Sequence, residues 1–432
     1  VEAGRDALED LVSEPGAPSS GRSGLSCRFC GAPLSHVFVD LGASPLANSF
    51  LEPEDLGKPE PFYPLCVYVC AECFLVQLPE AEKPDAIFSE YAYFASYSES
   101  WLRHAQTYAR ATIERFGLGP GHRVIEVASN DGYLLRWFKE RGIPVLGIEP
   151  AKNVAAAAEA AGIPTLVRFL GQEVARELVA GGTRADLLVG NNVLAHVPDL
   201  NDFVTGLKLL LAPAGVLTME FPHLLRLMEE GQFDTIYHEH YSYFSFATVR
   251  KVFAAHGLTL FDVEELPTHG GSLRIYCRHD DDGSKPEGER VKDLLLREEA
   301  AKLGCLETYR SFAERVHRVK RDLLRFLIQA KDEGKSIAGY GAAAKGNTLL
   351  NYCGVRNDFL DYTVDRSPHK QGRYLPGSRI PIYAPDRLRE TRPDYVLILP
   401  WNLKEEIMEQ MADVRSWGGR FVVAVPEVRI FE

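Results

Sequence analysis

The run Val124-Ile125-Glu126-Val127-Ala128-Ser129-Asn130-Asp131-Gly132 constrains the fold of this chain more than any other segment, because an apolar strand ends in acid and small residues and opens directly onto a helix. In an open α/β sheet, such a turn is where ligands meet the carboxyl ends of the strands. A second strand, Val145-Leu146-Gly147-Ile148, ends in Glu149. There a doubly wound sheet offers a carboxylate to ribose hydroxyls. The turn lacks the full G-x-G-x-x-G run of dinucleotide binders. Asn130-Asp131-Gly132 offers less backbone for cradling a pyrophosphate, so a phosphate-free nucleoside cofactor, S-adenosylmethionine, fits better than NAD. Candidate cofactor contacts are Glu126, Ser129, Asn130, Asp131, Gly132 and Glu149. The run from Asp186 to Asp199 adds a buried strand ending in Asn191-Asn192, with Asn191 a further contact and His196 beyond it. Ala212-Pro213-Ala214-Gly215 then turns into the strand Val216–Glu220, and four strands separated by helical stretches predict a parallel sheet.

A chain of 432 residues implies two or three domains, and 46% hydrophobic with 25% charged residues is ordinary for a globular protein. A formal charge of −12 argues against a general nucleic-acid binder, which needs a basic surface. No apolar run is long enough to span a bilayer and the N-terminus lacks a signal-like pattern, so no membrane partner and a cytoplasmic location are expected. Residues 1–24, rich in Gly, Ser, Pro and Ala, read as a loosely attached extension. The oligomeric state stays open, with a monomer compatible with the sequence.

Four of the eight cysteines form two knuckles, Cys27-x-x-Cys30 and Cys70-x-x-Cys73. Each knuckle turns two thiolates towards one ion, and four thiolates close a tetrahedral zinc site of the structural kind. Disulfides are disfavoured in a cytoplasmic compartment, and a redox pair needs no second copy. Cys66, Cys277, Cys305 and Cys353 read as free thiols.

Two aromatic segments follow. Tyr91-Ala92-Tyr93-Phe94 begins a stretch fit for a domain junction or a pocket wall. The segment from Phe233 to Ser245 holds Tyr237-His238-Glu239-His240-Tyr241-Ser242-Tyr243. His238 and His240, two apart in extended chain, could share a metal, but they lack the HExxH spacing and a third ligand. A structural cluster is a second reading. The leading one is acid–base: a His-Tyr-Glu set beside a methyl donor can remove a proton from carbon and hold the resulting anion.

Further on, Ser336-Ile337-Ala338-Gly339-Tyr340-Gly341 predicts a strand running into a Gly-rich turn and helix, with later strands at Thr363-Val364-Asp365 and Tyr395–Trp401. This is a second α/β unit. Gly339-x-Gly341 with Asp365 could serve as an independent dinucleotide site. Before it, residues 278–300 read as a charged connector leading to a long helical stretch that ends near Lys335.

Four motifs together resemble the zinc-containing sugar C-methyltransferases of deoxysugar biosynthesis, which act on dTDP-linked keto sugars. They are the two cysteine knuckles, the run from Glu126 to Leu135, the segment from Tyr237 to Ser245, and the segment from Gly339 to Tyr352, in the family's order from about Leu25 onward. The resemblance implies a zinc-binding domain (25–90), an S-adenosylmethionine-binding Rossmann-like methyltransferase domain (91–277) and a C-terminal Rossmann-like domain (278–432) that helps hold the substrate. It implies Tyr237, Glu239, His240, His196 and a tyrosine of the 91–93 stretch (Tyr91 or Tyr93) as active-site positions. Lys345, with Tyr340 and Asn347 of the same motif, would face the sugar nucleotide. His240 is the favoured base because an imidazole titrates near neutrality, although the sequence does not rank it above Tyr237. The implied reaction is methylation beside the C4 ketone, at C3, through an enolate. C5 methylation is an alternative within the family. An NAD-dependent epimerase or dehydrogenase, and a non-catalytic zinc-containing binding protein, are alternatives outside it.

Overall fold

A computed structural model describes residues 24–83 and 94–432. Nearly all of the 1–24 extension, and Tyr91 and Tyr93, lie outside the described residues. Three sheets, of four, seven and six strands, organise the remainder.

The N-terminal sheet is built from β1 (His36–Ser44), β2 (Tyr63–Val69) and β3 (Val76–Gln77), all antiparallel. The central sheet takes β4 (Val124–Val127), β5 (Val145–Ile148), β6 (Thr165–Leu166), β7 (Ala185–Asn191) and β8 (Leu211–Pro222). The next strand, β9 (Ser242–Tyr243), leaves that sheet and pairs with β3, Val76 opposite Tyr243 and Gln77 opposite Ser242. The chain then returns for β10 (Leu258–Leu266) and β11 (Ser272–His279), which close the central sheet in the order β10-β11-β8-β7-β4-β5-β6.

In that order β4 pairs in parallel with β5 on one side and β7 on the other, so successive crossovers run in opposite directions from it. The crevice at the carboxyl ends of β4 and β7 is the topological switch point, the usual ligand position in such sheets. Both faces are covered, which is why Val124, Ile125, Leu187, Leu188, Val189 and Leu217 form continuous apolar runs with no exposure. The helix Leu200–Leu210 buries Leu200, Phe203, Val204 and Leu207, the i, i+3, i+4, i+7 stripe, and its N-cap Asp199 accepts the amide of Asp202. The turn expected at Ala212–Gly215 is a bulge within β8: Ala185 faces Leu211 while Leu187 already faces Val216.

The connector is shorter than expected. Arg278 and His279 belong to β11, and Glu289–Ala300 is a helix with Val291 and Leu294 buried. Its Glu298, also buried, accepts the amides of Phe246 (2.6 Å) and Ala247 (2.7 Å) and meets His223 Nε2 at 2.7 Å. The charge density read as solvated linker is thus one face of an amphipathic helix, and one of its carboxylates caps the helix Phe246–Ala255.

The C-terminal sheet comprises β12 (Ile337–Tyr340), β13 (Thr363–Val364), β14 (Ile382–Tyr383), β15 (Tyr395–Ile398), β16 (Arg420–Val423) and β17 (Arg429–Phe431). Its order is β14-β13-β12-β15-β16-β17, parallel except at β17. The long helix Phe312–Asp332 joins it to the N-terminal sheet, with Phe38 stacked on Phe312 at 4.6 Å. Residues of both sheets, among them Phe38, Leu65, Val67, Ile337 and Val396, share one apolar core.

Glu298→Ala strips three donors, two of them buried, of their acceptor. It is expected to destabilise the protein by about 3 kcal/mol, measured as a lower urea midpoint, because each orphaned donor keeps its desolvation cost.

Candidate active site

A cavity of about 810 Å³ opens at the carboxyl ends of β4 and β7 and extends towards the C-terminal sheet. At the β4 end, the cofactor loop keeps a left-handed backbone at alternate residues: Ala128 (φ 56°), Asn130 (φ 48°) and Gly132 (φ 77°). A loop that ordinarily needs glycines is here built largely without them. Glu149 helps to hold it, one oxygen accepting the Asn130 amide and the other the Ala151 amide, each at 2.9 Å. Two acceptor positions remain on that carboxylate, matching a ribose diol.

Of the sequence-predicted cofactor residues, Asn130, Glu149 and Asn191 line the cavity. Glu126, Ser129, Asp131 and Gly132 do not. Glu126 is fully buried, and burial pushes its carboxyl well above the usual range despite the nearby Tyr133 hydroxyl. Ser129 packs at Gly147, and Gly132 packs at Ile163. Asp131 accepts the amide and hydroxyl of Ser96, while Asn130 Oδ1 accepts the Ala95 amide. These residues shape the loop from behind. Trp101, at the end of the aromatic stretch read as a junction or a pocket wall, lines the cavity; the sequence reading missed His104 and Arg168–Leu170, which also line it. Phe169, 43% exposed just after β6, offers an uncovered aromatic face suited to a purine. Its only sequence signal is its place after the third strand of the sheet.

The other end of the cavity is walled by Thr235, Tyr237, Glu239, His240, His196 and Lys345, with Asn48, Lys370 and Asn402. The β3–β9 pairing carries the 237–243 segment into this position, and Leu78 N donates to Tyr241 O at 3.0 Å. His240 Nδ1 lies 2.8 Å from the Thr235 carbonyl, so that nitrogen carries the proton and Nε2 keeps its lone pair. Its ring centre is 4.0 Å from Tyr237 and 4.7 Å from His196. Burial, helped by the neighbouring His196, holds the His240 pKa well below its ordinary value, and burial holds His196 at about 4. Both imidazoles are neutral at pH 7. Asn48 donates to Glu239 Oε1 at 2.6 Å.

His238 points the other way, with Nε2 3.3 Å from the Pro64 carbonyl and its ring edge-on to Tyr63. It does not share a face with His240, and the four cysteines are the one cluster among the described residues that could hold a metal. Asn347 and Tyr340, expected at the substrate, are buried behind the wall. Asn347 Nδ2 donates to Ala47 O at 2.5 Å and so steadies the residue beside Asn48. Lys345 does reach the cavity, where Nζ donates to Asn402 Oδ1 at 2.7 Å and lies over the Trp401 ring; burial lowers its pKa. At this turn Pro400 packs against Gly341, 2.5 Å from where a Cβ would stand. Asp365 accepts the Ala342 and Ser367 amides, one on each oxygen.

The sulfurs of Cys27, Cys30, Cys70 and Cys73 all lie within 4.8 Å of one another, with Cys27–Cys73 and Cys30–Cys70 each at 3.5 Å. A tetrahedron with Zn–S of about 2.3 Å has sulfur edges of about 3.8 Å, so the donor set fits zinc. Gln77 Nε2 donates to Cys27 Sγ at 3.1 Å, and its backbone pairs with Ser242. Arg28, inside the first knuckle, donates to the carbonyls of Pro198 and Leu78.

A doubly wound sheet with a nucleoside-sized crevice, beside a four-cysteine site and a buried His-Tyr-Glu group, defines a zinc-bearing methyltransferase. Comparison with known proteins agrees. Family models match residues 27–88 ("Putative zinc binding domain"), 101–263 ("Methyltransferase domain") and 267–426 ("C-methyltransferase C-terminal domain"). The chain is 37% identical over 406 residues to C-methyltransferase NovU of Streptomyces niveus, covering 94% of this chain and 96% of that one. A ubiquinone biosynthesis O-methyltransferase of Rhizobium etli is 30% identical over 101 residues, 22% of this chain and 40% of the relative. Magnesium protoporphyrin IX methyltransferase from Synechocystis, solved with bound SAM, is 14% identical over 41% of this chain and 78% of its own, with a TM-score of 0.31. The chain belongs to the C-methyltransferase family that includes NovU: it is an S-adenosylmethionine-dependent C-methyltransferase with a zinc-binding domain. Among the described residues no helix is long and apolar enough to cross a membrane.

Two outcomes follow from this geometry. Removing zinc with a strong chelator should abolish methyl transfer and lower the thermal midpoint, while calorimetry at 10 °C still finds S-adenosylmethionine bound with a Kd within about threefold. Asp234 is fully buried, and burial raises its carboxyl to about 6 although Trp401 Nε1 donates to it. An acid raised by folding costs stability as pH climbs from its unfolded value near 4 to its folded value. Asp234→Asn should therefore gain about 3 kcal/mol relative to wild type between pH 4 and pH 7. A difference in urea midpoints that is flat with pH would refute this.

Proposed function

We propose that the enzyme methylates the carbon beside a ketone in a nucleotide-linked deoxysugar, a dTDP-4-keto sugar methylated at C3, through an enolate. The observation that carries this reading is the His240 ring. Its Nδ1 is engaged by a backbone carbonyl and its neutral Nε2 is left as acceptor in a cavity shared with Tyr237, Glu239 and His196. A methyl bound to sulfonium is already electrophilic, so the protein's task is to make carbon nucleophilic.

In this reading His240 Nε2 takes the α-proton and the Tyr237 hydroxyl donates to the oxygen that gains charge. Glu239, fixed by Asn48, favours the imidazolium that His240 becomes. Glu149 holds the cofactor ribose, with Asn130 and Asn191 beside it. Lys345 and Lys370, at the end of the cavity bounded by the helix Ala344–Cys353, supply positive charge for the nucleotide diphosphate. The reading supports a cytoplasmic biosynthetic role, as in antibiotic deoxysugar formation.

The test is incubation with S-adenosylmethionine and a dTDP-4-keto-2,6-dideoxyhexose in deuterium oxide. A methylated sugar is expected, with deuterium entering at C3 when the methyl donor is omitted; entry at C5 would move the methylation site. His240→Ala should slow both processes by about 10³-fold. If S-adenosylmethionine binds but neither methyl transfer nor deuterium uptake occurs on any keto sugar nucleotide, the reading is wrong.

A further inference from the structure

The turn between β10 and β11, Thr268-His269-Gly270-Gly271, places on the cavity wall a histidine that the scheme above does not use. Its backbone is left-handed (φ 55°), and so is that of Asn192 (φ 53°), the residue it touches from the end of β7. Side chains rarely adopt this conformation, and here two that do are in contact at a ligand cavity. The surroundings leave the turn no slack. A Cβ on Gly270 would stand 2.5 Å from Trp401 and 2.8 Å from Gln232, and one on Gly271 2.9 Å from Arg226. Thr268 Oγ1 donates to the buried Glu220 at 2.8 Å, and the Asn192 amide donates to the Glu220 carbonyl at 2.7 Å. Trp101 packs edge-on against the His269 ring at 5.4 Å.

The ring is therefore fixed, and its hydrogen bonding sets its tautomer. Asn192 Nδ2 lies 3.0 Å from His269 Nε2. As the amide is oriented, with Nδ2 towards the ring and Oδ1 buried without a hydrogen-bond partner, it donates to Nε2 and the ring proton sits on Nδ1, which has no hydrogen-bond partner among the described residues. We propose that His269 is a further catalytic residue, which donates a hydrogen bond from Nδ1 to the substrate ketone oxygen and holds that oxygen while it carries the enolate charge.

The proposal rests on the enolate reading and assigns it a second electrophilic group beside Tyr237. The α-proton passes to His240 and the C–H electron pair moves into the enolate. The new carbon–carbon bond then forms to the methyl as the sulfur–carbon bond breaks, and the ketone is restored. His269 keeps its proton throughout. Burial, with Lys345 nearby, keeps the imidazole at about 4 and so neutral, which suits a donor that polarises a carbonyl without surrendering its proton.

Two measurements on the full-length zinc enzyme test this. Ring-nitrogen chemical shifts of labelled histidine at pH 7, assigned with His269→Asn, should show a neutral Nδ1–H tautomer at this position. An Nε2–H tautomer or an imidazolium would overturn the proposal whatever the substrate. With the keto sugar nucleotide in deuterium oxide, and without S-adenosylmethionine, His269→Asn should slow deuterium entry about a hundredfold. Its kcat for methyl transfer should fall similarly, with KM, the S-adenosylmethionine Kd and the thermal midpoint little changed. Asparagine tolerates the left-handed backbone, so the turn is kept. Unchanged exchange, or a loss confined to cofactor binding, would overturn the catalytic role while leaving the enolate reading intact. Absence of exchange and methylation in the wild-type enzyme would overturn both.

Discussion

The pairing of β3 with β9 is the contact on which the His240 end of the cavity depends. It is only two residues long on each strand, far too short to be stable on its own. Its stability comes from what surrounds it. Gln77 pairs with Ser242 through its backbone while its side chain donates to a zinc-ligand sulfur and accepts the Arg28 amide. Arg28 in turn grips the carbonyls of Leu78 and Pro198, on either side of the path to His196. A closed metal site takes no part in chemistry, yet these contacts tie β9, which His240 precedes by two residues, to the segment that follows His196. This gives a physical reason for a zinc domain in an enzyme whose methyl donor needs no metal.

The same segment is held from the C-terminal side. Thr348 Oγ1 donates to the Ile236 carbonyl, Trp401 Nε1 donates to Asp234, and Phe233 packs edge-on against Tyr352. Residues 233–243 are thus clamped between two units that also share an apolar core through Phe38 and Phe312. An arrangement of this kind can keep a neutral imidazole oriented in the cavity wall, because the ring's position is set by its neighbours and not by its own solvation.

Much of this was readable from the sequence where chemistry and spacing coincide. The two C-x-x-C knuckles, the acid at the end of β5 and the alternation of strands and helices each follow from local rules, and accordingly Cys27, Cys30, Cys70 and Cys73 cluster and Glu149 lines the cavity. Direction along a strand was harder to read. Glu126, Asp131, Asn347 and Tyr340 belong to the right motifs but point away from the cavity, since their partners (Ser96 for Asp131, Ala47 for Asn347) come from elsewhere in the chain. Asn48, His104, Phe169, His269 and Lys370 lie in segments with no motif of their own, and only long-range packing brings them to the wall. The helix Glu289–Ala300 was hidden by its charge, because a face that caps another helix looks like a linker when its partner is unknown.

The electrostatics of the cavity form a consistent pattern. His196, His240 and His269 are all pushed towards neutrality by burial, and Lys345 is lowered by the same cause. Glu220, buried at the edge of this group, is the opposite case. Burial alone would raise its carboxyl, but His104 and Arg274 bind it closely enough to hold it at about 2. The fixed negative charge is thereby held by Arg274 and His104, and its pull on His269 does not outweigh burial. In the proposed scheme, a site that takes a proton from carbon needs its acceptor nitrogen empty and its donors full at the same pH. Uniform desolvation cannot achieve that for one residue type; a hydrogen bond that selects a ring's tautomer can, as the Thr235 carbonyl does for His240 and, in the proposal above, Asn192 does for His269.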